Sequence, residues 1–172
     1  MAGGCEVITP QYAVTMAKYN TWQNNQLLPI VEAMPEAMLI EDRGAFFGSI
    51  LGTLNHLLWC DRLWLSRFDA AQLAPKGEDV TFCPDGASWR EARVACDGAI
   101  RDWAGTLTQT QVEANLCWFS GILQRDVEKP MGECILHFFN HQTHHRGQAH
   151  AMLTAAGHEA PVTDLIFMPE TL

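Results

Sequence analysis

The stretch 130–156 constrains this chain more than any other, because it holds no internal proline and its large apolar residues recur at intervals of three, four and seven. That is the period of an amphipathic helix. At an advance of about 100° per residue, Ile135, Phe138, Ala149, Met152, Leu153 and Ala156 gather on one side, which is expected to be the buried one. His145 falls inside that face, and His141 lies about 40° from it. A single histidine on a helix is more often surface decoration or a satisfied core residue, but spacing of four aims two imidazoles at one point. A buried polar group left without a partner costs roughly 1–3 kcal/mol, so the pair demands one shared explanation. Neutral imidazole is the commonest metal ligand. His137 and His144 project nearer the rim of the face and His150 points away from its centre, which places all three outside the expected ligand set.

A helix with one apolar face needs partners, and the chain supplies three more. Residues 11–31 carry Tyr12, Met16, Tyr19, Trp22, Leu27 and Ile30 at helical intervals, with Pro29 and Pro35 marking the end. After a connector at 36–43, residues 45–68 are dense enough in Leu, Ile and Phe for a well-buried second helix whose start is weakened by Gly48 and Gly52. The segment 69–86 reads as a loop. Ser88, with Glu91 three residues on, forms a capping box for a third helix at about 89–107. Residues 113–127 alternate weakly around Ser120-Gly121, the pattern of a small β-hairpin, with a plain loop as the other reading. The histidine helix follows, capped by Gly157, and the tail 160–172 should pack as irregular chain. The expected fold is therefore all-α: a four-helix bundle with long crossover connections and a small β-hairpin before the last helix. Bundles of this kind build metal sites from side chains on facing helices.

The 172 residues suit one domain, 1–172, with a substantial core. No apolar run is long enough to cross a bilayer, and the start, Met1-Ala-Gly-Gly-Cys-Glu, lacks the basic segment and apolar stretch of a signal peptide. A cytoplasmic protein without membrane contact is expected. A net charge of −9, with only 11 scattered Lys and Arg, would repel a phosphate backbone and argues against nucleic-acid binding. The six cysteines contain no CxxC pair and read as small hydrophobes in a reducing compartment.

Two imidazoles do not close a site: catalytic zinc centres use three protein ligands and leave one position for water. His56 is the sole histidine outside the fourth helix and its tail, and it shares a side of the second helix with Ser49, Gly52 and Leu63. It is the candidate third ligand. Cys60, four residues on, offers a thiolate on the same face but ranks behind it, as a packing residue.

Three passages carry a resemblance to a known family: Ala17-Lys-Tyr-Asn-Thr-Trp-Gln-Asn, Asp42-Arg-Gly-Ala-Phe-Phe-Gly-Ser-Ile leading into Leu54-Asn-His56, and Phe138-Phe-Asn-His-Gln-Thr-His-His-Arg-Gly-Gln. Together they make the chain similar to the DinB branch of the DinB/YfiT-like superfamily of metal-dependent enzymes. The histidine passage is the specific part, and the likeness spans nearly the whole chain. It implies a four-helix bundle with a long crossover, often a homodimer, and one divalent metal ion per chain, zinc or nickel, held by His56, His141 and His145. Cys60 departs from the family pattern, where an apolar residue usually stands. The family name is shared with an unrelated DNA polymerase and carries no inference about DNA.

Three neutral imidazoles leave a bound cation its full charge, so that it can activate water or a thiol. The expected function is that of a divalent-metal-dependent enzyme acting on a small-molecule substrate, either as a hydrolase or as a transferase using a low-molecular-weight thiol, the chemistry that the resemblance implies. The alternative is a non-catalytic or stress-related protein in which the metal is structural or sensory. HExxH, GxSxG and P-loop patterns are absent, which excludes zincins and common serine hydrolases as templates. Tyr19, Asn20, Trp22 and Asn25 could contact a ligand, although Tyr19 and Trp22 fit a core equally well. Arg146 could orient a carboxylate, support a dimer or form a surface ion pair.

Overall fold

Thr9 accepts a hydrogen bond from the Tyr12 amide at 3.1 Å and, with Pro10 preset for the first turn, starts α1, Pro10–Ala33. The computed structural model describes residues 8–159 and 161–171; Cys5 and the N-terminal run read above for a signal peptide lie outside them. Pro29, expected to mark the end of α1, stands inside it. It sits near the C-terminus, and the carbonyl it leaves without an amide partner belongs to exposed Asn25. The connector expected at 36–43 contains a short helix, α2, Glu36–Ile40.

Gly44 and Gly48, at φ of 65° and 72°, then occupy left-handed backbone that residues with a Cβ avoid. The helix expected from Ala45 therefore starts after this turn, as α3, Ile50–Phe68, with Ser49 accepting the Gly52 amide at 3.0 Å. The next helix, α4, Gly86–Thr106, is capped by Asp85, and Ser88 is the third residue of that capping box rather than the cap. A further short helix, α5, Gln109–Glu113, is capped by Thr108. The hairpin reading holds: β1, Asn115–Ser120, pairs antiparallel with β2, Arg125–Pro130. The histidine helix is α6, Met131–Ala155. Gly157, at φ 84°, ends it, with the His158 amide donating to the Leu153 carbonyl at 3.1 Å. The tail crosses α1 as irregular chain with one 3-10 turn at Leu165–Phe167; the Tyr19 hydroxyl donates to the Thr163 carbonyl at 2.6 Å and Gln23 to that of Val162 at 3.0 Å.

The long helices form a closed ring of neighbours: α1 packs on α4, α4 on α3, α3 on α6, and α6 returns to α1. Leu54, Leu58, Trp89, Ile100, Phe138 and Leu153 fill the space between them. Each such side chain stabilises the fold by roughly 1.5–3 kcal/mol relative to leaving it in water. No helix of the described residues is long and apolar enough to cross a membrane.

The middle of this core is polar. Arg93 of α4 donates to Asp61 of α3 and pairs with Asp97 one turn along, both at 2.7 Å. Asp97 accepts from Asn20 at 2.8 Å and from Asn24 at 3.0 Å, Asn20 accepts from Arg146 at 2.6 Å, and Asp61 accepts from Gln142 at 3.1 Å. All seven residues are at most 4% exposed. Burial opposes the charge of Arg93, but the facing carboxylates outweigh it and hold the guanidinium proton above its ordinary strength. Arg146, read from the sequence as a surface or substrate-facing residue, is instead an internal cation 5.6 Å from the Tyr19 ring centre. Removing one member of a buried charge set strands its partners, at about 3–5 kcal/mol. Arg93→Met is expected to lower unfolding free energy by that amount in urea titration, and a loss under about 1 kcal/mol would show that the set contributes little.

Candidate metal centre

His56, His141 and His145 are brought together as the sequence predicts. Each offers one ring nitrogen, and the three atoms lie within 4.8 Å of one another, a group that could hold a metal ion. The ring centres stand 4.3 Å apart for His141 and His145, 4.6 Å for His56 and His145, and 5.4 Å for His56 and His141. All three are partly buried in the α3–α6 groove, and on α6 His141 and His145 immediately precede Gln142 and Arg146 of the polar core.

Two of the rings are fixed by their other nitrogen. His56 Nδ1 donates to Asp79 Oδ2 at 2.6 Å, and His145 Nδ1 donates to Gln148 Oε1 at 2.8 Å. Both leave Nε2 as the nitrogen with the lone pair, and at His56 that lone pair faces the Cys60 thiol, 3.7 Å away. A metal-ligating histidine almost always has such a partner, which sets its tautomer and raises its basicity. Gln148 in turn reaches His144 Nε2 at 3.2 Å, so that His144 supports the site at one remove.

Asp79 was invisible in the sequence because it lies in the long loop between α3 and α4. Asn55, next to His56 and 1% exposed, explains its arrival. Its amide donates to the carbonyls of Val80 and Cys83 at 3.1 and 2.9 Å, and its oxygen accepts the Cys83 amide at 3.1 Å. These bonds fasten the loop to α3 just where Asp79 meets His56. Burial works against the Asp79 carboxylate, but bonds from His56 and the Val80 amide prevail and hold its pKa below the ordinary value.

Phe47 closes one side of the site, stacked on His56 with ring centres 3.9 Å apart at 19°, and edge-on to His145 at 5.3 Å. Its backbone runs so close to α3 that a methyl group on Gly52 would collide with the Phe47 carbonyl oxygen. The glycine that weakens the start of α3 is thus what admits Phe47. Cys60 Sγ lies 3.7 Å from His56 Nε2, yet among the described residues the converging set consists of the imidazoles alone. Burial, helped by Asp61 and Asp79, pushes the Cys60 thiol up to about 12, so without a cation it is protonated. Of the ligand-facing candidates on α1, Asn20 and Tyr19 are buried in other bonds and Asn25 is exposed.

Neutral imidazoles are what a cation requires. Burial and then the neighbouring His145 and His56 bring His141 down to about 3, and burial also lowers His145 against the opposing Gln148 bond. A tetrahedral zinc sets its nitrogens about 3.4 Å apart, and the three nitrogens here lie within 4.8 Å of one another. The donor set therefore fits a divalent cation of borderline softness. In the metal-free protein the unfolded chain takes up a proton on His141 near pH ~6.5, the folded one only near 3. The stability this histidine confers is thus complete above pH ~6.5 and is lost as the pH falls from there towards 3. The urea midpoint of metal-free protein is expected to drop between pH 7 and pH 4, with a flatter dependence in His141→Gln; identical slopes would contradict this.

The family model for the DinB family matches residues 9–171. Protein DinB of Bacillus subtilis (strain 168) is 25% identical over 175 residues, spanning 93% of this chain and 96% of that protein. A crystal structure of a DinB-like protein from Bacillus cereus ATCC 10987 shares the fold, with a TM-score of 0.63 at 15% identity over 83% of this chain and 91% of that one. The helical ring, the crossover that delivers Asp79 and the histidine passage are thus features of a chain that belongs to the DinB family.

Proposed function

We propose that this protein binds one divalent cation, zinc or nickel, through Nε2 of His56 and His145 and a ring nitrogen of His141, and uses it as an enzyme on a small-molecule substrate. The single observation that carries this reading is the count of converging ligands, which is three. Structural zinc sites are closed by four protein ligands, whereas catalytic ones keep a position for water or substrate. A cation held there would act as a Lewis acid that activates water for hydrolysis or a low-molecular-weight thiol for transfer.

The protein's own groups have separable roles. Asp79 and Gln148 orient two of the rings. Phe47 shields the His56 face and keeps water off one side. His137 and His144 flank the ligands, at 5.8 Å from His141 and 4.7 Å from His145 between ring centres, and could carry a proton to or from a bound substrate.

Elemental analysis of tag-free protein tests the reading, with one equivalent of metal expected. His141→Ala and His145→Ala are each expected to abolish stoichiometric binding while helical content stays intact; full occupancy in both would remove the site. Asp79→Asn is expected to weaken affinity by about 10–100-fold. For Cys60→Ala a change below about tenfold is expected, and a loss of a hundredfold or more would make the thiol a ligand and favour a closed, structural centre.

A further inference from the structure

The α3–α6 groove does not end at the histidines. One to two turns along, Trp64 of α3 stands 5.0 Å from His137 of α6, ring centre to ring centre, and His137 stands 5.8 Å from His141. The hairpin adds Trp118 from β1, 5.6 Å from Trp64 and inclined at 64° to it. Beside this pair opens a cavity of about 260 Å³ lined by Trp64, Trp118, Lys129, Glu133, Cys134 and His137, of which Lys129, Glu133 and His137 are exposed. One imidazole thus separates this cavity from the ligand cluster.

Both indoles are only partly buried, and the hairpin that carries Trp118 places little else against the bundle: Leu116 is its one buried residue. An apolar cavity of about 150 Å³ holds a benzene ring, so the present one has room for a ring with a short chain. Its electrostatics select the kind of ligand. A cage of two tryptophans would suit an organic cation, but Arg67 already takes that part, its guanidinium carbon 4.6 Å from the Trp64 ring centre and 5.2 Å from that of Trp118. No carboxylate forms an ion pair with Arg67 among the described residues. Arg67, over the two indoles but outside the cavity's lining, and Lys129 within it together outnumber Glu133, in a chain whose net charge is −9. A second cation is repelled here, and an acid is attracted.

We propose that the cavity is the subsite for the aromatic ring of a small acidic ligand. The ring lies in the cavity against Trp64 and Trp118, which touch each other edge to face, the acidic group turns towards Arg67 and Lys129, and the bond to be processed points past His137 to the histidine cluster. Only this last element rests on the enzymatic reading above.

Isothermal titration calorimetry of the metal-loaded protein with 3-phenylpropionate tests the proposal. Saturable binding is expected, with hexanoate and phenyltrimethylammonium each at least tenfold weaker. Trp118→Ala, a substitution outside the bundle core, is expected to weaken 3-phenylpropionate at least tenfold with metal content unchanged. Equal binding by Trp118→Ala, equal binding of hexanoate, or tighter binding of the ammonium would overturn it. His141→Ala separates the two readings. Affinity for 3-phenylpropionate within threefold of the parent supports the subsite whether or not metal is retained, whereas its loss together with the metal would mean that the carboxylate had bound the cation, and would overturn the subsite.

Discussion

Two arginines and two aspartates buried where the long helices meet fix how those helices slide past one another. Apolar side chains alone tolerate shifts of register, since one leucine replaces another with small loss. A guanidinium held between carboxylates does not, because a shifted register leaves a charge in the core without a partner. Asp61, Arg93, Asp97 and Arg146 balance in sign, and Asn20, Asn24 and Gln142 occupy lone pairs and protons that the charges leave over. The ligand-bearing face inherits this precision. Gln142 and Arg146 immediately follow His141 and His145, and Asp61 is five residues after His56, so the bonds that align α3 with α6 inside the bundle also align the three imidazoles on its flank.

The histidine cluster was legible in the sequence because four-residue spacing on a long helix is a local signal, and because His56 had no competitor elsewhere in the chain. The bundle and the hairpin were legible for the same reason: each is written in the period of neighbouring residues. The polar core was not. Asn20, Asp61, Arg93, Asp97 and Arg146 have the residue types of an exposed helical face, and only their meeting across four helices makes burial tolerable. Asp79 was hidden for a related reason, since a carboxylate in a loop gains meaning only from the Asn55 bonds that fold the loop back.

Smaller departures follow the same division. α3 starts past Ala45 because Gly48, which with Gly52 signals a weak helix start, instead joins Gly44 in a left-handed turn. The cap of α4 moved from Ser88 to Asp85, a choice between two good capping residues three apart that depends on where the preceding loop ends. α1 continued through Pro29 because tertiary packing of Leu27, Leu28 and Val31 outweighed one missing backbone bond.

The fastening of the long crossover by Asn55 gives this architecture a means of adjustment that leaves the bundle untouched. The crossover supplies a carboxylate to the back of one imidazole, and of its own residues only Cys83 joins the core, with Phe82 packed against it. Insertions, deletions or substitutions near Asp79 would alter how strongly His56 donates electrons while the helices keep their packing. Divergence of chemistry among chains with this scaffold can therefore accumulate in a segment that folding hardly monitors.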